Sequence, residues 1–366
     1  MITIRDITDF LEGIAPQGYQ ESYDNSGLIT GQASWNCTGV LISLDATEEV
    51  ILEAASRGVN LVVAHHPVIF KGLKKLNGNS YVEKAVIAAI KNDVAIYAIH
   101  TNLDNIKDGV SGKMASLLGL ENVRVLEEKT GTLSKLYTYV PVAQKGKVLQ
   151  ALFDAGAGRL GNYSECSFSV AGTGTFKAND EAQPFVGKIG ERHLEEEVKI
   201  EVILPGLLER KVVRALKQSH PYEEVAYELI RIANPNPEIG SGAIGELAEP
   251  LEEGVFLTRL KEVFNLRVIR HTPFTGKPVK RVALCGGAGS FLISTALGAG
   301  ADIFITGDVK YHEFFDAEGK MVIADIGHFE SEQFTIDMLY DILLKKFPTF
   351  AVLKSGVKTN PVQYFI

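Results

Sequence analysis

Residues 40–67 read VLISLDATEEVILEAASRGVNLVVAHHP, and this stretch decides the fold. VLISLDA is a short apolar run rich in β-branched residues and reads as a buried strand. Thr47 follows as an N-cap, with Glu48 and Glu49 set against the positive end of the helix TEEVILEAASRG. Gly58 closes that helix, and NLVVAHHP is a second strand. Strand, helix and strand in this order predict parallel strands joined by a right-handed crossover. A further helix, YVEKAVIAAIKND, leads to the strand VAIYAIH. Residues 282–309, VALCGGAGSFLISTALGAGADIFITGDV, repeat the design over the same 28 residues. Laid together without gaps, Gly300 falls on Gly58 and Asp308 on His66. Each unit is followed by another apolar strand, IYAIHTNLD in one half and VIADIGHFE in the other. The pattern predicts an α/β domain built on a duplicated βαβ unit.

Between the halves the texture changes. KLYTYVP, SECSFSVAGTGTF, VKIEVILP and VAYELIRIA read as strands, and GKVLQALFDAGAG and LERKVVRALKQSH as helices. The order βαββαβ is that of a ferredoxin-like α+β plait. We therefore expect a domain over 130–235 inserted into an outer domain formed by 1–129 and 236–366. NPNPEIGSG reads as a loop at the second boundary. An amphipathic helix (Ile4, Ile7, Phe10, Leu11, Ile14) opens the chain. The helix FTIDMLYDILLKKF and the strand TFAVLKS close it.

At 366 residues, two or three domains are expected. Hydrophobic content of 46%, charge of 22% and a net charge of −8 are those of a globular chain without a basic footprint, so nucleic acid is not an expected partner. No apolar run approaches a membrane span. The start, MITIRDITDF, has acidic residues and no apolar h-region, as in a chain without a secretory signal. Cys37, Cys166 and Cys285 are scattered and form no CxxC, which fits free thiols in a reducing cytoplasm.

Three segments deliver imidazole or carboxylate where an apolar run stops: VVAHHPVIF, IHTNLD and IADIGHFESE. In parallel α/β sheets, ligands gather beyond the carboxyl ends of strands. Adjacent strand residues point to opposite faces, so His65 and His66 serve one site only if the chain turns there, and Pro67 fits such a turn. Asp104 either joins them or caps the next helix, and His100 either supports the site or is packed. His328 and Glu332 are spaced i, i+4 and share a helix face if a helix starts near Phe329. Glu330 faces elsewhere and reads as solvated. The candidate ligand set is His65, His66, Asp104, His328 and Glu332. Imidazoles and carboxylates suit Zn, Fe, Mn or Co. Five ligands exceed a closed tetrahedral site and suit two divalent ions per subunit bridged by a carboxylate, here Glu332. A water between two such cations ionises near neutral pH, so the implied chemistry is hydrolytic. There is no GxSxG elbow and no P-loop. CGGAGS is either a phosphate cradle or a tight turn packing helix on sheet.

YDNSGL, SLDAT, AHHPVIF, HTNLD, GGAGS, ADIFITGDVKYHEFFDA and DIGHFESE together resemble the GTP cyclohydrolase 1 type 2 / NIF-three-like family over nearly the whole outer domain. The resemblance implies a dinuclear site on the same five residues and a central insertion similar to PII/CutA-like domains. It places Asp308 and His312 near the site, making His312 the candidate proton-transfer group, and it implies a toroidal homohexamer. Tyr23 and Ser26 stand where the family usually shows Trp and Val, away from the metal motifs. Three functions are consistent with this: a metal-dependent hydrolase of a nucleotide-like or phosphorylated small molecule, a GTP ring-opening cyclohydrolase, and a metal-binding or PII-like regulator of a small effector without turnover. They rank in that order.

Overall fold

The computed structural model describes residues 1–365, which divide into two compact units: Met1–Glu128 together with the chain from Glu238 onward, and Lys129–Pro237. Among the described residues, no helix is long and apolar enough to cross a membrane.

The first unit holds two sheets of related design. In one, Val40–Ser43, Leu61–Ala64 and Ala95–Ala98 run parallel, with Gly27–Thr30 antiparallel on one side and Val352–Lys354 parallel on the other. In the other, Val279–Ala288, Ile303–Gly307 and Val322–Asp325 are the parallel trio. Arg270–His271 and Asn236–Leu251 flank it antiparallel, and Glu121–Lys129 lies beyond. The duplication read from 40–67 and 282–309 is thus present as two parallel trios, each with an antiparallel neighbour on its third strand. Even the aligned glycines agree, with φ of 71° at Gly58 and 72° at Gly300.

The trios carry continuous apolar runs because both faces are covered. Val40, Ile42, Leu61, Val63 and Tyr97 pack with the helices Ile4–Ile14 and Thr335–Lys346. The alternate residues Leu41, Val62, Ala64 and Ile96 pack with Glu48–Ser56 and Tyr81–Lys91. In the second sheet, Leu284, Ile305 and Ala324 meet Met114, Phe256 and Leu260, whereas Ala283, Phe304 and Ile323 meet Leu292, Ile293 and Ala296. Thr3 caps the first helix in a reciprocal capping box with Asp6.

The second unit is an antiparallel four-stranded sheet in the order Phe168–Lys177, Arg192–Pro205, Leu133–Pro141, Tyr227–Ile232. Helices Lys145–Asp154 and Glu209–Ser219 contribute Val148, Leu152, Val212 and Leu216 to one core with Val198, Ile200, Val202 and Leu204. Element order and strand order are those of the ferredoxin-like plait.

One reading fails. NPNPEIGSG is not a loop but the start of the 16-residue strand Asn236–Leu251. Its glycines serve close approach rather than turning: a Cβ on Gly240 would lie 2.0 Å from the Glu127 carbonyl oxygen, and Gly242 has φ +67°.

Phe304 is fully buried. Phe304→Ala is expected to destabilise the chain by about 3–5 kcal/mol, read as a lower denaturation midpoint, while Phe291→Ala at a site 62% exposed leaves it nearly unmoved.

Candidate metal centre

The strand Leu61–Ala64 stops one residue before His65, and the backbone stays tethered beyond it: His65 N–H donates to the Ser43 carbonyl at 3.2 Å and His66 N–H to the Leu44 carbonyl at 2.9 Å. The turn before Pro67 lets both imidazoles serve one place, with ring centroids 5.0 Å apart. His65 is fully buried, and its Nδ1 lies 2.8 Å from the Ile99 carbonyl. A carbonyl only accepts, so Nδ1 carries the proton and the Nε2 lone pair points the other way. There it meets Asp104 Oδ1 at 3.5 Å and Glu332 Oε1 at 3.8 Å. Both His65 Nε2 and Asp104 Oδ1 are buried without a hydrogen-bond partner.

The other two imidazoles are held in the same manner. His66 Nδ1 lies 2.8 Å from Asp45 Oδ1, and its Nε2 is 3.0 Å from Glu332 Oε2. His328 begins the short helix His328–Glu332; its Nδ1 lies 2.7 Å from Asp308 Oδ2 and its Nε2 3.2 Å from Glu332 Oε2. The two facing Nε2 atoms of His66 and His328 are 3.3 Å apart. Asp308 reaches His328 from a left-handed backbone conformation, φ 56°. Each Nδ1 is thus spent on an oxygen outside the cluster, and all three Nε2 atoms converge on Glu332, itself 2% exposed.

The electrostatics follow. Burial alone would push Glu332 upward, but its contacts with His328 at 3.2 Å and His66 at 3.0 Å hold it well below the usual carboxylate range. Burial and the neighbouring Glu332 charge push Asp104 up to about 7. Burial disfavours charge on His66, yet its bonds to Asp45 and Glu332 outweigh this and raise it to about 10. The same balance, with Glu332 and Asp308 as partners, raises His328 to about 9. The His65 lone pair facing buried carboxylate oxygens calls for positive charge between them. His66, His328 and Glu332 could hold a metal ion, as could His65, His66 and His100. The donor set of imidazole nitrogens and carboxylate oxygens fits a borderline divalent metal.

Several readings of the sequence resolve here. Asn102, rather than Asp104, supplies the local turn chemistry: its Oδ1 accepts from His100 N–H and its Nδ2 donates to the Ala15 carbonyl. His100 packs edge-on against His65 and Phe70, with Nδ1 2.8 Å from Asp24 Oδ1. The CGGAGS turn spends its N–H groups inside the protein, Gly287 on Ser331 Oγ and Gly289 on Thr306 Oγ1, and so packs rather than cradles. Glu330 is half-buried and accepts from Asn360 Nδ2, which corrects the solvated reading. His312 is not brought to the cluster: it is exposed, and its ring contacts are with Tyr311 and Phe315. Asp24 and Asp45 were missed as orienting groups. Their signal was present, Asp45 directly beyond a strand end and Asp24 in a turn ahead of one.

A cleft of about 440 Å³ opens beside the cluster, lined by Asp45, His66, His328 and Arg270 and by the C-terminal residues Asn360 and Tyr364. Thr359 Oγ1 donates to Asp45 at 2.5 Å, tying this wall to the group that orients His66.

The family profile described as Duf34/NIF3 (NGG1p interacting factor 3) matches residues 2–361. A Halalkalibacterium halodurans relative named GTP cyclohydrolase 1 type 2 homolog is 38% identical over 364 residues, covering 98% of each chain. A Bacillus subtilis relative of the same name is 37% identical over 327 residues, covering 89% of this chain and 88% of its own. Among solved structures, a Bacillus cereus protein related to NIF3 superposes with a TM-score of 0.87 at 36% identity, over 100% of this chain and 99% of that one.

Gly287 has φ +63°, and a Cβ there would stand 2.3 Å from Glu332 Oε1. Gly287→Ala is expected to displace Glu332 and lower the retained metal at least tenfold with the circular dichroism spectrum preserved; full metal retention on elemental analysis would contradict this placement.

Proposed function

The chain belongs to the Duf34/NIF3 family, and from that footing we propose that it is a dinuclear metal-dependent hydrolase acting on a nucleotide-like or phosphorylated small molecule. The observation that carries the reading is the buried pair His65 Nε2 and Asp104 Oδ1, which face one another unpartnered beside Glu332. In this reading His65 and Asp104 would hold one divalent ion and His66 and His328 the other, and Glu332 would serve both. Zn, Fe, Mn and Co all suit these donors. Bound ions would supply Lewis acidity and lower the pKa of water toward 7.

The remaining work falls to the chain. Asp45 and Asp308 fix the ring orientation and tautomer of His66 and His328, and the Ile99 carbonyl does so for His65. His100, fixed at Nδ1 by Asp24, presents its Nε2 beside the cluster as a proton carrier. This assigns to His100 the role that sequence resemblance suggested for His312. An anionic substrate is favoured by the loop that follows His66. From Pro67 to Val82 it carries Lys71, Lys74 and Lys75, all exposed, and no carboxylate. Phe70, in the same loop, lies 5.6 Å from the His100 ring. The resemblance supports a homohexamer as the working form, and the three free thiols fit a reducing cytoplasm.

GTP is the specific substrate to test second, because the relatives above carry the name GTP cyclohydrolase 1 type 2 homolog.

Elemental analysis of the purified chain is expected to find about two divalent ions per subunit, and almost none in a His65→Ala/Glu332→Ala double variant. A loaded double variant would refute the site. Metal-loaded protein incubated with GTP and with a panel of phosphorylated metabolites should release formate or phosphate. If neither product rises above the double-variant background, the hydrolase reading falls while the metal site stands.

A further inference from the structure

The second unit carries a cleft of its own, of about 980 Å³, at the upper end of the volumes that small-molecule sites occupy. It lies on the sheet face opposite the helices. Alternate residues of Arg192–Pro205 divide the two faces: Val198, Ile200 and Val202 enter the core, and Glu197, Lys199 and Glu201 enter the cleft. The neighbouring strand presents Gly172 opposite Glu197 and Gly174 opposite Glu195, so the floor there has no side chains.

Three aromatic rings form the wall. Tyr222 stands 6.2 Å from Phe176 and 6.3 Å from Phe185, centroid to centroid, at interplanar angles of 58° and 52°. Such tilted rings bound a concave space rather than filling it. The segment bearing Phe185 is tied across the cleft, with Gln183 N–H donating to Glu223 Oε1 at 2.9 Å.

One carboxylate is fixed inside this wall. Tyr222 donates its hydroxyl to Glu197 Oε1 at 2.8 Å. Glu197 Oε2 lies over Gly174, 2.1 Å from where a Cβ would stand, so only glycine leaves room for it. Lys199, its neighbour on the same strand face, is engaged elsewhere: its Nζ pairs with Glu201 at 3.0 Å and sits 4.3 Å from the centre of the Tyr137 ring. Across the cleft lining, five glutamates face two lysines. Aromatic faces present negative potential to a cation, and a fixed carboxylate among them adds a full charge.

We propose that this cleft is a binding site for a small organic cation, an ammonium or guanidinium group on an apolar or aromatic body, seated against Phe176, Phe185 and Tyr222 with its charge on Glu197. The ligand is an effector rather than a reactant: Glu197 is already engaged by Tyr222, and the cleft lining holds no serine, cysteine or histidine. The assignment is independent of the metal centre and holds whether or not that centre turns over.

Isothermal titration of the full chain with benzyltrimethylammonium, agmatine, benzyl alcohol and benzoate tests it. The two cations should bind saturably at submillimolar concentration, and the neutral and anionic probes at least tenfold more weakly. Glu197→Gln, which keeps shape and removes charge, should weaken the cations at least tenfold. Tyr222→Phe, which keeps the ring and frees the carboxylate, should weaken them less. Gly174→Val, which fills the floor, should abolish binding with unchanged metal content. Equal affinity for benzoate and the cations, undiminished binding by Glu197→Gln, or no saturable binding of either cation up to ten millimolar would each overturn the proposal.

Discussion

Glu332 is an ionised carboxylate removed almost wholly from water, and burying such a charge is costly unless opposite charge and hydrogen-bond donors surround it. The compensation is drawn from both sheets of the first unit: His65 and His66 from the end of one parallel strand, and His328 from the end of a strand in the other. Everything near the cluster serves that requirement. Gly287 gives up its side chain so that Glu332 has space, and Gly286 does so for Val110. Ser331 bonds backward to the His328 carbonyl and accepts from Gly287 N–H, locking the short helix onto that turn.

One solution is used twice, one strand out of step with the duplication, which matches Asp308 to His66. In the first sheet, an acid beyond the strand Val40–Ser43 orients the imidazole beyond its parallel neighbour Leu61–Ala64. In the second, an acid beyond Ile303–Gly307 orients the imidazole beyond its parallel neighbour Val322–Asp325. In both, the carboxylate takes Nδ1 and leaves Nε2 for the shared centre. Two half-sites of one design then meet on a single glutamate. An imidazole held in this way loses little freedom when a cation arrives, which is what an affinity for metal needs.

The sequence disclosed the parts whose signal is local. Apolar runs that stop at His65, at His100 and before His328 marked the strand ends, and the spacing of His328 and Glu332 placed both on one turn of helix. It did not disclose Asp24 or Asp45, because a lone acid after a strand also serves as a helix lead or a turn residue, and only tertiary contact distinguishes the uses. Glu330 was misjudged for the same reason: its partner Asn360 is thirty residues away in the chain. His312 lay close in sequence to Asp308, but the 3-10 helix Tyr311–Ala317 turns it outward. The strand Asn236–Leu251 was hidden by prolines and glycines chosen for close packing against the Glu127 carbonyl and the Leu292 side chain, which composition alone reads as a loop.

The C-terminal wall has a consequence for the order in which the molecule is made. Thr359 grips Asp45 across 314 residues of chain, and the edge strand Val352–Lys354 completes the sheet begun at Val40. Chains emerge from the ribosome from the N-terminus and fold domain by domain. Here, though, the first half-site waits for Val352–Lys354 and Thr359. A polypeptide stalled or clipped short of Thr359 would carry every imidazole of the cluster and still lack the grip on Asp45 that helps aim one of them. Completion of the centre is therefore set by chain made long after its first imidazoles have emerged.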